Sequence, residues 1–141
     1  MDPLSQRHIA QWKHNRSFLP SIDPAYSDWI VTVSFYVALH AVDSLLAHDH
    51  VTGVTSHETR NGVLLRTNRY LQIRRHYMPL FTLSRTVRYL ADPTSWVPPQ
   101  QLEADVLKRL LYPVEKSVQG LLGEDLELPA VVLRVAEEKE S

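Results

Sequence analysis

The chain has 141 residues, with 15 basic and 16 acidic side chains, seven histidines and no cysteine, and a formal net charge of −1. That length fits one domain that buries its own core, and the lack of cysteine excludes a disulfide framework, a thiolate zinc site and a cysteine nucleophile. A cysteine-free chain suits a reducing, cytoplasmic compartment. Residues 1–18 interrupt any apolar run with polar and charged side chains, so we expect no secretion signal and a mature chain starting near Met1.

Helix signals dominate, and the prolines gather at the breaks between them. Asp2 as N-cap and Pro3 at the first helical position predict a first helix reaching about Phe18. The chain then breaks from Pro20 to Pro24. A long second helix is expected from about Ala25 to His48. Its apolar run from Trp29 to Leu46 is interrupted by Thr32, Ser34, His40 and Asp43, and reads as too short for a membrane span and suited to a buried core helix. Asp28, Thr32, Tyr36 and His40 step by four along it, with Asp43 and Ser44 beyond. Such a polar ridge must find hydrogen-bond partners in other helices, in a ligand or in a second subunit.

Thr55 and Glu58 have capping-box spacing, which predicts a third helix from there to about Tyr77, with His57 in its first turn. Met78-Pro79 then separates it from a short fourth helix, Pro79 to Leu90. A loop holding Trp96 follows, bounded by Asp92-Pro93 and Pro98-Pro99. The fifth helix is expected from about Gln100 to Leu122, with Leu102, Val106, Leu110, Val114, Val118 and Leu121 at helical spacing and a kink at Pro113. Leu126 to Ala136 reads as an extended arm or short strand, ahead of a frayed acidic end. The fold class is therefore all-α, an up-and-down helical bundle of about five helices over residues 1–123, followed by a C-terminal arm and acidic tail over 124–141.

Charge is distributed unevenly. His57 to Leu90 holds seven arginines (60, 66, 69, 74, 75, 85 and 88), no lysine and one acid, Glu58, so this stretch carries +6 in a chain of −1. Guanidinium forks match phosphate and carboxylate oxygens, which suggests a polyanionic partner. Equally, these charges can pair with the acidic C-terminal third of the same chain or of a second copy.

The order Trp29, Phe35-Tyr36, Ala38-Leu39-His40, Ser56-His57 with Arg60, Tyr77, Leu80, Ser84-Arg85 and Arg88-Tyr89 resembles the small prokaryotic HEPN proteins, over roughly residues 10–92. The resemblance implies an up-and-down bundle that usually dimerises. It also implies a toxin or defence role, either as a metal-independent endoribonuclease or as a protein that has lost catalysis, beside a nucleotidyltransferase or antitoxin partner. The family's ribonuclease signature, an Arg with four to six residues between it and a His near the start of a late helix, is not in its usual place. His76 is the last histidine, so none follows Arg85 or Arg88. Arg7 with His14 and Arg69 with His76 match the bare spacing.

Cleavage of RNA without metal needs a base, an acid and cations for the phosphorane charge. The candidates are His57, His76 and His40 for proton transfer, with Arg60, Arg69, Arg66 and Tyr36 for phosphate or RNA. On one continuous helix Arg69 and His76 would share a face about 10 Å apart. His57 and Arg60, three residues apart in a first turn, make a tighter cradle for an anion. The competing class is a non-catalytic module for homodimerisation or partner docking. No cofactor is expected, and no metal: His48-Asp49-His50 is the one local cluster of ligand type and reads as solvated. The expected partners are RNA or a nucleotide and a second copy of the chain, with no membrane.

Overall fold

A computed structural model describes residues 2–89 and 96–134. The chain forms an all-α bundle: α1 (Pro3–Phe18), α2 (Ser27–His48), α3 (His57–Arg66), α4 (Leu71–Tyr89), then a π-helical segment (Leu102–Leu111) running directly into α5 (Tyr112–Leu122). No strand occurs among the described residues. The Asp2 carboxylate caps α1, accepting from the N–H groups of Leu4 and Ser5 at 2.8 and 3.1 Å.

α2 is the centre of the bundle, packing against α1, α4, α5 and the π-helical segment. Ile30, Val31, Phe35, Val37, Ala38, Ala41, Val42 and Leu45 are fully buried along it. Its length corrects one sequence expectation. Pro24–His48 is long and apolar enough to cross a membrane, but 78% of its most apolar window is buried inside the bundle. Each such buried aliphatic side chain contributes roughly 1.5–3 kcal/mol, so α2 finds its apolar solvent within its own chain.

The third and fourth helices divide differently from the sequence reading. Ser56, not Thr55, is the N-cap: its Oγ accepts from the Thr59 N–H, and Thr59 Oγ1 accepts from the Ser56 N–H, at 3.1 and 3.0 Å. Thr59 completes the box in place of Glu58, which stays exposed. α3 then stops at Arg66 rather than Tyr77, because Thr67 turns extended and Asn68–Tyr70 forms a 3-10 turn. Both Thr and Asn lose more in a helix than straight-chain residues do. The Arg74 guanidinium closes the end of α3 by donating to the carbonyls of Leu64 and Leu65, at 3.2 and 2.8 Å. Pro79, expected to end a helix, lies inside α4. Its position is solvent-exposed, so the carbonyl four residues back that loses its bond can turn to water.

The last helix holds a second departure. Its π-helical half bonds i→i+5, which widens each turn and shifts the inward face. Leu107, Leu111 and Leu122 are buried, while Leu110 and Leu121 are only half-buried. Pro113 falls where the π ladder gives way to α5.

Beyond Gly123, which closes α5 in the left-handed conformation, residues 124–134 form no strand, pass through a positive φ at Glu127 and pack back on the bundle. The Leu126 N–H donates to Gln119 Oε1 and the Val131 N–H to the Tyr112 hydroxyl, both at 2.8 Å. Arg16, buried at the end of α1, donates to the Pro129 carbonyl and, at 2.8 Å, to Glu115 Oε2, which also accepts from Trp12 Nε1 at 2.6 Å. Burial pushes the Glu115 carboxyl up despite the bonds from Arg16 and Trp12 that favour its anion.

This clasp makes a prediction. Arg16→Met leaves the Glu115 charge buried without its cation, and is expected to lower unfolding free energy by about 3–5 kcal/mol. Adding Glu115→Gln should recover part of that loss in urea denaturation, since the stranded charge is then gone. Equal stability of wild type and Arg16→Met would refute the role assigned to the clasp.

Candidate functional site

Three elements converge beside the middle of α2. α3 begins here, so His57, its first residue, packs its ring against Phe35 of α2 and Phe81 of α4, with centroids 5.7 and 5.6 Å away. Arg60, one turn on, is buried and forks onto Asp43: Nε to Oδ1 at 2.7 Å and Nη2 to Oδ2 at 2.9 Å. The same guanidinium places Nη1 3.4 Å from His57 Nδ1. From α4, Arg85 lies over Phe81 at 5.7 Å, and Arg88 lies 5.8 Å from the Phe35 ring and 5.7 Å from the Tyr36 ring. Arg88 Nη1 donates to the Tyr36 hydroxyl at 3.1 Å.

The His57 pKa is held below its ordinary 6.5 by burial, then by the charges of Arg60, Arg88 and Arg85. A guanidinium only donates, so its contact with Nδ1 selects the neutral tautomer that carries its proton on Nε2. His57 is thus presented as a hydrogen-bond donor to an anion. In this state its Nδ1 lone pair is turned toward Arg60.

His40 sits on the other side of Asp43. Its Nδ1 lies 3.0 Å from Nδ1 of His8 on α1, with the two rings stacked. Burial, then the neighbouring His8, holds its pKa below 6.5, against an opposing pull from Asp43. A cavity of about 320 Å³ opens beside His8 and Asp43 under the loop from Val51 to Thr55. The larger opening, about 350 Å³, lies elsewhere, beneath the C-terminal arm at Lys13 and Arg16.

The structure therefore joins Asp43, Arg60, His57, Phe35, Tyr36 and Arg88 into one run of contacts, leaves His40 paired with His8 within the electrostatic reach of Asp43, and places the remaining candidates elsewhere. Arg69 is not on a helix with His76. It stands in the 3-10 turn and forks onto Asp49 at 2.8 and 3.1 Å, where the Tyr70 hydroxyl also donates at 2.5 Å. Those two donors outweigh the burial that would raise Asp49 and bring its pKa down. His76 directs Nδ1 to the Gln72 carbonyl of its own helix. It precedes Phe81 by five residues, about 140° around α4 from the ring that meets His57. Arg66 is exposed, with its guanidinium over Gly62: a Cβ added there would stand 2.7 Å from Nη1.

The polar ridge of α2 is satisfied within the chain only in part, since Asp28 Oδ1 is buried without a hydrogen-bond partner. Thr32 Oγ1 donates to the Asp28 carbonyl, Ser44 Oγ to that of Ala41, and Ser5 Oγ to that of Ser44. Among the described residues no group of three or more His, Asp or Glu is arranged to hold a metal.

Arg85, Arg88 and His8 are the members of this neighbourhood that the sequence reading left out of the site. A signal for Arg85 exists: Phe81 precedes it by four, the spacing that stacks a side chain one turn along a helix. Compared with known proteins, the chain matches no family model, no curated protein and no solved structure.

A pH dependence follows from the two histidines. Both have folded pKa values below 6.5, so as pH falls the unfolded chain takes up their protons first. Their contribution to stability is full above 6.5 and is lost as pH drops toward the folded values. Thermal melts between about pH 7.5 and about pH 5.5 should show a declining midpoint, less steep in His40→Gln than in wild type. Parallel slopes would contradict the assignment to His40.

Proposed function

We propose that the chain is a HEPN-like bundle, cytoplasmic and dimeric, that binds RNA or nucleotide phosphate at the cluster formed by His57, Arg85, Arg88 and Tyr36. One observation carries this reading. Arg60 and Arg69 are each neutralised by a carboxylate of their own chain, whereas Arg85 and Arg88 have no acidic partner among the described residues and lie over Phe81 and Phe35, the two rings against which His57 packs. Two guanidinium groups, a phenol and an imidazole N–H form a donor set for phosphate oxygens.

Binding is favoured over cleavage within one subunit. Transesterification needs a base and an acid near one phosphate, and here the single imidazole of the cluster keeps its lone pair toward Arg60 while His40 faces His8. A second subunit, or the nucleotidyltransferase or antitoxin partner that the resemblance implies, would have to bring the missing group.

Fluorescence anisotropy with a labelled single-stranded RNA tests the reading. Affinity should fall steeply with salt. Arg85→Ala and Arg88→Ala should each flatten the slope of log K against log salt by about 0.7, the share of one phosphate contact. Arg69→Ala should leave both affinity and slope in place. Salt-insensitive binding, or loss on Arg69→Ala alone, would displace the site from this cluster. RNA left intact by wild type at high concentration fits a binding module, and cleavage abolished by His57→Ala would make the cluster catalytic.

A further inference from the structure

α2 and α4 run antiparallel: the start of α4 meets the end of α2, where Tyr70 bonds Asp49, and the end of α4 meets the middle of α2, where Arg88 bonds Tyr36. Seven residues before Tyr36, on the same face and about 10 Å further along the axis, stands Trp29. It is 58% exposed although most of α2 is buried, and Tyr26 beside it is 60% exposed. On α4, Tyr89 is 70% exposed, and Arg88 lies between two rings, 5.2 Å from that of Tyr89 and 5.7 Å from that of Tyr36.

Large aromatic side chains left in water at one end of an otherwise well-buried bundle need an occupant. The neighbouring charge decides its chemistry: Arg88 lies on the Tyr89 ring, one turn beyond Arg85 on α4, in a stretch with seven arginines and one acid. A phosphate cluster bordered by exposed flat rings suits a chain of anions carrying planar bases, in which the rings take the bases and the guanidinium groups take the backbone. A duplex, with its bases already stacked on one another, offers the rings nothing.

We infer that Trp29 and Tyr89 form a stacking platform for unpaired nucleobases beside the Arg85–Arg88 cluster, so that the protein selects single-stranded over double-stranded nucleic acid. This rests on the reading of that cluster as a phosphate site.

The test uses the full chain and three probes: a single-stranded oligoadenylate of about a dozen nucleotides, a duplex RNA of the same length, and inorganic polyphosphate. Oligoadenylate should quench tryptophan emission, and Trp29→Ala should remove that quench. Trp29→Ala and Tyr89→Ala should each weaken oligoadenylate binding on the order of tenfold, and Trp29→Ala, whose side chain is exposed and touches neither arginine of the cluster among the described contacts, should leave polyphosphate binding and thermal midpoint unchanged. Equal affinity for oligoadenylate, duplex and polyphosphate, with no quench traceable to Trp29, would overturn the platform and leave the phosphate site standing. Failure of all three probes to bind at low salt would overturn the phosphate site and the platform with it. Sedimentation showing a dimer that Trp29→Ala dissociates, with oligoadenylate unbound, would assign the rings to a protein contact instead.

Discussion

The ion pair between Asp43 and Arg60 is the constraint from which the site's geometry follows. Asp43 is a carboxylate on the helix at the centre of the core, with its side chain only 12% exposed. Left unpaired there, it would destabilise the bundle by several kcal/mol. The two-pronged guanidinium bond meets that requirement and in the same stroke fixes the rotation of α3 against α2. With α3 fixed, His57 falls between Phe35 and Phe81, and Arg60 turns Nη1 toward both the Ser56 carbonyl and the imidazole. The tautomer of His57 is thus a consequence of how a core carboxylate is neutralised.

The same logic sorts the arginines. Asp43, in the C-terminal half of α2, and Asp49, at its C-cap, take Arg60 and Arg69. Among the described residues none of the acids of the C-terminal third pairs with the arginine-rich stretch, and Glu115 is committed to Arg16 at the other side of the bundle. Arg74 serves the carbonyls that end α3. Arg66, Arg74, Arg75, Arg85 and Arg88 pair with no acid among the described residues, and of these Arg85 and Arg88 are the two held over aromatic rings, by the second half of α4. Aromatic faces orient a guanidinium without neutralising it, which keeps its charge available to an incoming anion.

Much of this was legible in the sequence, and the misses have physical causes. The α-helical bundle, the Asp2-Pro3 start of α1 and the break before α2 follow from caps, prolines and periodicity, which act locally. α3 ends before the boundary that Pro79 suggests, because Thr67-Asn68 leaves the helix first. Pro79 is harmless where solvent can satisfy the freed carbonyl, whereas a β-branched residue followed by Asn breaks a helix when Arg74 stands ready to cap it. That shift of one boundary separated Arg69 from His76. The spacing match between those two existed only on a helix that does not continue. The pairings of Arg60 and Arg69 lay beyond local reading for another reason: their acids are 17 and 20 residues away, across a loop whose path no short-range pattern specifies.

The two histidines that survive as neighbours of Asp43 differ in what they face, and this separates their roles. His40 meets His8 across 3.0 Å in a half-buried site, so a charge on the His40 ring is disfavoured where α1 packs on α2. His40 therefore titrates against the fold. His57 faces guanidinium groups on one side and aromatic rings on the other, so protonation would add another cation to a cluster that already repels it. A phosphate at the proposed cluster would reverse that balance, its charge offsetting Arg85 and Arg88 and raising the affinity of His57 for a proton. Ligand and proton should thus bind together at His57, whereas at His40 the proton competes with the packing of α1.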